Sequence, residues 1–217
     1  MSLTMKIQLL RIAALAFVSG MINSCGETEK ESKKADLSSI VFKVDTSEKK
    51  KTNEPENPPI INIVDTIAVK RMVVVVKDSA STSGRIGLKL SRIYDSILPA
   101  YFAKNNIKKS GPRIAWYKTS KAPFFFEAGI QVDKKPAKTG KNISFREIGG
   151  DSAVVVHYYG PYESTFQAYQ AVKEWMTDHK KKPAGAPYET YITDPFDEKG
   201  KQVETYKLLT DIVFPRK

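Results

Sequence analysis

The chain has 217 residues, 41% of them hydrophobic, which is enough to bury the core of one ordinary domain with extensions but leaves two compact domains crowded. Its formal net charge is +11, and the whole excess lies beyond residue 69, where 26 basic side chains outnumber 15 acidic ones. The single cysteine excludes an intrachain disulfide and a cysteine-rich metal centre.

Lys6 and Arg11 precede the apolar run IAALAFVSGMI, which is long enough for a signal-peptide core and too short to span a bilayer. The run ends in Ile22, Asn23, Ser24, Cys25 and Gly26, which resembles the lipobox of bacterial lipoprotein signal peptides. The resemblance implies that residues 1–24 are a cleaved signal peptide and that Cys25 is lipidated. The protein is then anchored to a membrane of the cell envelope. Residues 25–67 are rich in charge and poor in apolar side chains, so they cannot bury enough surface to offset the entropy of ordering. They read as a tether, stiffened at Pro55, Pro58 and Pro59, although the run at 60–64 is apolar enough to add a strand to the domain.

The domain begins near residue 68. Four consecutive valines at 73–76 predict a buried strand, and Ile86, Leu90, Ile93, Ile97 and Tyr101 recur at helical spacing. Pro99 inside that pattern should kink or loosen its last turns. RIAWYK and FFFEAGIQV, joined by a turn at Lys121, Ala122 and Pro123, predict a hairpin, and ISFREI a short linking strand after a lysine-rich loop. The β-branched and aromatic stretch at 153–159 predicts another strand, stopped by Gly160 and Pro161. Phe166, Tyr169, Val172, Trp175 and Met176 then mark one face of an amphipathic helix. YETYIT and TYKLLTDIVFP close the chain as strands. The order strand, helix, strand, strand thus occurs twice. The fold expected is α+β, a tandem βαββ repeat forming a curved antiparallel sheet, with two helices on one face and a cleft between the halves.

GRIGLKLSRIYDSILPAYFAKNNIKKSGPRIAWYK, AVVVHYYGPYESTFQAYQAVKEWM, GAPYETYITDP and LLTDIVFPRK resemble the GyrI-like, or AraC-type effector-binding, domain over residues 69–217. The resemblance implies an aromatic-walled pocket between the halves. It also implies lipophilic ligands, often cationic or planar, and in some members hydrolysis of strained cyclopropane-bearing compounds. It further implies an acidic residue in the last strand at the pocket floor, typically glutamate. Here that position is Asp211, one methylene shorter, and its counterpart in the first half is Glu127.

A carboxylate in an apolar cleft is stable only if it is hydrogen-bonded or met by a cation. Trp116, Tyr117, Phe125, Tyr158, Tyr159, Tyr188 and Tyr191 are the aromatic candidates, each able to attract a cation by about 0.5–2 kcal/mol. Side chains alternate along a strand, so if Tyr159 faces the cleft, Tyr158 faces the helices. Phe166 and Trp175 are assigned to core packing. Two histidines far apart, His157 and His179, do not make a zinc site, and neither metal nor cofactor is expected. No DNA-binding motif accompanies the lysine clusters, so no nucleic-acid partner is expected. Three functions fit these residues: an envelope-anchored protein binding a small lipophilic or cationic molecule, a hydrolase using Asp211 or Glu127 with a tyrosine hydroxyl, or an interaction module for another envelope protein.

Overall fold

The computed structural model describes residues 58–217. The expected signal peptide, Cys25 and most of the expected tether lie outside the described residues.

Eight strands form one antiparallel sheet: β1 (Ile60–Ile67), β2 (Arg71–Ala80), β3 (Lys109–Tyr117), β4 (Phe124–Val132), β5 (Ile143–Ile148), β6 (Ser152–Tyr159), β7 (Tyr188–Tyr191) and β8 (Leu209–Pro215). Their spatial order is β1-β6-β8-β7-β3-β4-β2-β5, which reads the same from either end once the two halves of the chain are exchanged. The first half contributes β2, β4 and β3 moving inward; the second contributes β6, β8 and β7. The pseudo-twofold axis falls between β3 and β7, where Arg113, Ile114 and Ala115 pair with Tyr191, Thr190 and Glu189.

The valines of β2 explain how the sheet is buried on both faces. Val74 and Val76 pack beneath the first helical segment with Ile93, Leu98 and Phe102. Val73 and Val75 point the other way and join Ile114, Trp116, Val155, Tyr188 and Val213. A third cluster joins Val154, Val156, Tyr158 and Ile212 to Ala168, Val172 and Met176 of the second helix.

That first helical segment runs from α1 (Gly84–Arg92) through a π-helical turn (Ile93–Ile97) into α2 (Leu98–Asn105). Pro99 has no N–H to give the carbonyl four residues back, and the chain responds by widening the turn ahead of it. The helix ends at Asn106, whose φ of 51° is left-handed. The second helix, α3 (Thr165–Asp178), follows a short 3-10 turn at Tyr162–Ser164.

One boundary differs from the sequence reading. Residues 60–67, assigned to the tether on composition with a strand allowed at 60–64, form β1 and pair along their whole length with β6. Composition averaged over a charged segment hid the alternation that matters: Ile61 and Ile63 lie against the α3 cluster. Lys181 and Arg216 both reach Asp65 from the far end of the chain, and the hydrogen bond from Lys181 leads in holding its carboxyl below the usual range.

Strands β2 and β4 approach closely at Gly129. A Cβ placed on Gly129 would stand 2.6 Å from Val73 Cγ1 and 2.8 Å from the Val74 carbonyl oxygen. Gly129→Ala is expected to cost about 1–3 kcal/mol, typical of overpacking, read as a lower urea midpoint at unchanged slope. An unchanged midpoint would mean that the two strands can separate at no cost.

Candidate functional site

Alternation along β3 and β7 sends Arg113, Ala115 and Tyr117, with Glu189 and Tyr191, to the face that carries the helices. Ala115 stands opposite Glu189, and its small side chain leaves room above the acid. Around this floor the helical segments build walls. Tyr94 comes from the π-helical turn, Tyr162 from the 3-10 turn, and Phe166 and Tyr169 from α3. Gly84 and Gly87 of α1 also face the space, and a Cβ on either would meet nothing within 4 Å. The result is a cavity of about 970 Å³, closed at one side by Asp194, Pro195 and Phe196 of the loop after β7.

The floor is a chain of hydroxyls ending on a carboxyl group. Tyr169 donates to Glu189 Oε1 at 3.1 Å and Tyr191 donates to Glu189 Oε2 at 2.9 Å. The hydroxyls of Tyr117 and Tyr191 are 2.9 Å apart. Since Tyr191 spends its proton on Glu189, Tyr117 is the donor between them. Tyr94 donates to the Ile114 carbonyl at 2.9 Å, which fixes its ring edge-on to Tyr191 at 6.4 Å. Tyr162 meets Tyr191 edge-on at 5.5 Å. Arg113 lies over the Tyr94 ring at 5.4 Å and gives a hydrogen bond of 3.0 Å to Asp95.

Glu189 is 5% exposed, and among the described residues it forms no salt bridge. Burial pushes its carboxyl up to about 7, and the hydrogen bonds from Tyr191 and Tyr169 restrain the rise. Burial also holds the hydroxyls of Tyr94, Tyr169 and Tyr191 well above their ordinary value, and that of Tyr117 above it too. Tyr162, nearer the surface, is pushed up to about 12 by burial and then by Asp194. These groups are therefore neutral donors at neutral pH. The one cavity-floor group that titrates there is Glu189.

The sequence reading located the acid differently. Asp211 and Glu127 lie on the opposite face of the sheet, because in register Asp211 pairs with Thr190 and Glu127 with Trp116, both of which face away from the helices. Asp211 is 2.6 Å from His157 Nδ1. Glu127 is ringed by Arg146 at 2.8 Å, Lys118 at 3.3 Å and Lys77 at 3.8 Å. Each carboxyl group already has its partner and neither reaches the cavity.

Of the aromatic candidates, Tyr117 and Tyr191 line the cavity. Trp116 and Tyr188 face away and lie against each other at 5.6 Å, with the Arg146 guanidinium over the indole at 4.8 Å. Phe125 and Tyr159 also take the opposite face, Phe125 being exposed. Tyr158 does face the helices, but it is buried beside α3 and donates to the Pro161 carbonyl. Phe166, assigned to the core, lines the cavity, whereas Trp175 stacks on His179 at 3.9 Å. Glu189, Tyr94, Tyr162 and Tyr169 were missed. The available signal was the pattern Glu189, Thr190, Tyr191: a carboxylate and a tyrosine sharing one face of a short strand. Among the described residues no group of three or more His, Cys, Asp and Glu could hold a metal ion.

An α+β domain of two like halves closed round one deep aromatic cavity has the build of a small-molecule-binding module. The family model for the GyrI-like small molecule binding domain matches residues 100–217, and the chain belongs to that family. Comparison with curated proteins returns no match. Among solved structures, the EcmrR C-terminal domain is 19% identical with a TM-score of 0.56, covering 74% of this chain and 97% of that one. EcmrR in its DNA complex is 20% identical with a TM-score of 0.58 over 73% of this chain, which spans only 57% of that longer protein. An uncharacterized conserved protein from Listeria innocua is 9% identical with a TM-score of 0.51, over 71% of this chain and 92% of the other. At these identities the likeness is one of fold.

The raised carboxyl of Glu189 has a measurable consequence for the empty protein. A carboxyl whose folded value is raised gives full stability below its ordinary value of 4.5, and stability falls as pH climbs toward 7. At about 1.36 kcal/mol per unit the loss is on the order of 3 kcal/mol. Between pH 4.5 and 7.5 the urea midpoint of the wild type should fall relative to that of Glu189→Gln. Parallel curves for the two proteins would show that the acid is not buried as described.

Proposed function

We propose that the chain is an envelope-anchored protein that captures a lipophilic cation in the cavity above Glu189. The observation that carries this reading is a carboxyl group withdrawn from water whose neighbours are tyrosine hydroxyls and aromatic rings, with no cation beside it among the described residues. Such a group repays the cost of its burial when a positive charge arrives. The rings of Tyr94, Tyr162, Tyr191 and Phe166 offer apolar surface together with the electron-rich faces that attract cations. The proton and the ligand compete for the same carboxylate.

Methyltriphenylphosphonium is a suitable probe, followed by quenching of tyrosine and tryptophan fluorescence. Its affinity should be flat above about pH 7.5 and fall by up to tenfold per unit below 7, since only the ionised carboxyl pairs with it. Glu189→Gln should weaken binding about 10- to 100-fold at pH 8 and remove the pH dependence, the scale of one charge pair about 6 Å or more apart at a protein-like dielectric. Equal affinities for the two proteins from pH 5 to 8 would contradict the proposal.

A second reading has one specific support. A carboxylic acid near neutrality beside tyrosine donors can act as general acid or base, so hydrolysis of a strained, activated small molecule fits the same floor. Release of product from a cyclopropane-bearing substrate, lost in Glu189→Gln, would favour it; stoichiometric binding without product would favour capture.

The anchor rests on the order of Lys6, Arg11, the apolar run and Cys25 in the sequence. Radiolabelled palmitate should enter the wild-type protein and not Cys25→Ala, which should move to the soluble fraction. A Cys25→Ala protein that stays membrane-bound would contradict lipidation as the anchor.

A further inference from the structure

A charged head group at Glu189 would leave most of the cavity empty. At about 970 Å³ the cavity lies at the top of the range of about 300–1,000 Å³ that accommodates drug-sized ligands. Its two ends differ in character. The floor, at Glu189, is 5% exposed and lined by hydroxyls, whereas Phe196 lines the same cavity and remains 59% exposed, so it stands at the mouth. Between them the wall includes Ile86, Leu90, Phe166 and Pro195.

A lone exposed aromatic is ordinary on a protein surface. This one is held in place. Phe196 bridges Gln202 across a small hairpin, and Val203 N–H donates to the Pro195 carbonyl at 2.9 Å. Asp197 Oδ1 accepts from the backbone N–H groups of Lys199 and Lys201, both at 2.9 Å, and Gly200 supplies the turn with a φ of 74°. At its base Asp194 lies 3.6 Å from Arg113 and 3.8 Å from Lys109 of β3. The phenyl ring is thus carried on a structured arm over an apolar wall, with solvent where a packing partner would be. The carboxylates of Asp95, Glu163 and Asp194 border the space and disfavour an anionic tail.

We infer that Phe196 selects for ligand length: the chain takes an elongated amphiphile whose cationic end meets Glu189 and whose uncharged tail ends against Phe196. This rests on the cation-binding reading above and adds to it the shape of the ligand. Burial of each methylene along the wall strengthens binding by up to about fourfold, until the tail passes the ring.

Alkyltrimethylammonium ions with tails of four and twelve carbons, used below micelle-forming concentrations, test this by calorimetry on the full chain. The longer ion should bind the wild type at least about 100-fold more tightly. Phe196→Ala should weaken the longer ion by about tenfold and leave the shorter within about twofold, and Phe196→Leu should restore most of the loss. Equal weakening of both ions, or of neither, overturns length selection by Phe196 while leaving the role of Glu189 intact. Glu189→Gln proteins that bind both ions as well as wild type, or a wild type that binds neither, overturn the cation reading and this inference with it.

Discussion

A carboxyl group held out of water is the feature to which the surrounding structure answers. Glu189 sits on the strand beside the pseudo-twofold axis, where both halves of the sheet and both helical segments converge. Left unpaired there, it would cost several kcal/mol. The fold lowers that cost with neutral donors: Tyr169 and Tyr191 from either side, and Tyr117 behind Tyr191. Arg113, the basic side chain that reaches the cavity, is turned toward Asp95, Asp194 and the Tyr94 ring. The acid is therefore only partly ionised at neutral pH while the cavity is empty, and the proposed cationic ligand would recover the free energy that its burial costs.

The sheet divides its work by the parity of its residues. On the helix face, odd positions of β3 and β7 (Arg113, Ala115, Tyr117, Glu189, Tyr191) make the cavity. On the opposite face, Trp116 and Tyr188 pack with the valines of β2, β6 and β8, Glu127 is held by Arg146 and its neighbouring lysines, and Asp211 lies against His157. A one-residue slip of β7 would exchange Glu189 for Tyr188 and so abolish the floor. The width of the π-helical turn before Pro99 belongs to the same design, since it is from this turn that Tyr94 enters the cavity and Asp95 meets Arg113.

Much of the fold was legible in the sequence because its signals are strong and local. The valine run at 73–76, the 3.6-residue periodicities and the turns at Gly160 and Pro161 each have one physical interpretation, and their order yields the paired βαββ units. The site was less legible. Alternation shows that Tyr158 and Tyr159, or Trp116 and Tyr117, face opposite ways, but it does not say which face carries the cavity. Assigning the acid by analogy to the last strand led to Asp211, whereas the strand nearest the axis is β7, only four residues long. Strand β1 was half legible: the apolar run at 60–64 pointed to a strand, but charge averaged over 25–67 left in the tether two isoleucines whose alternation places them against α3.

Carboxyl ¹³C NMR of the full-length chain reads directly whether Glu189 is a buried acid and whether the proposed cation pairs with it. The Glu189 resonance should titrate near pH 7 in the empty protein, and its midpoint should fall by about 2 units when methyltriphenylphosphonium saturates the cavity. A midpoint near 4.5 in the empty protein, or one that the cation leaves unmoved, would contradict this reading.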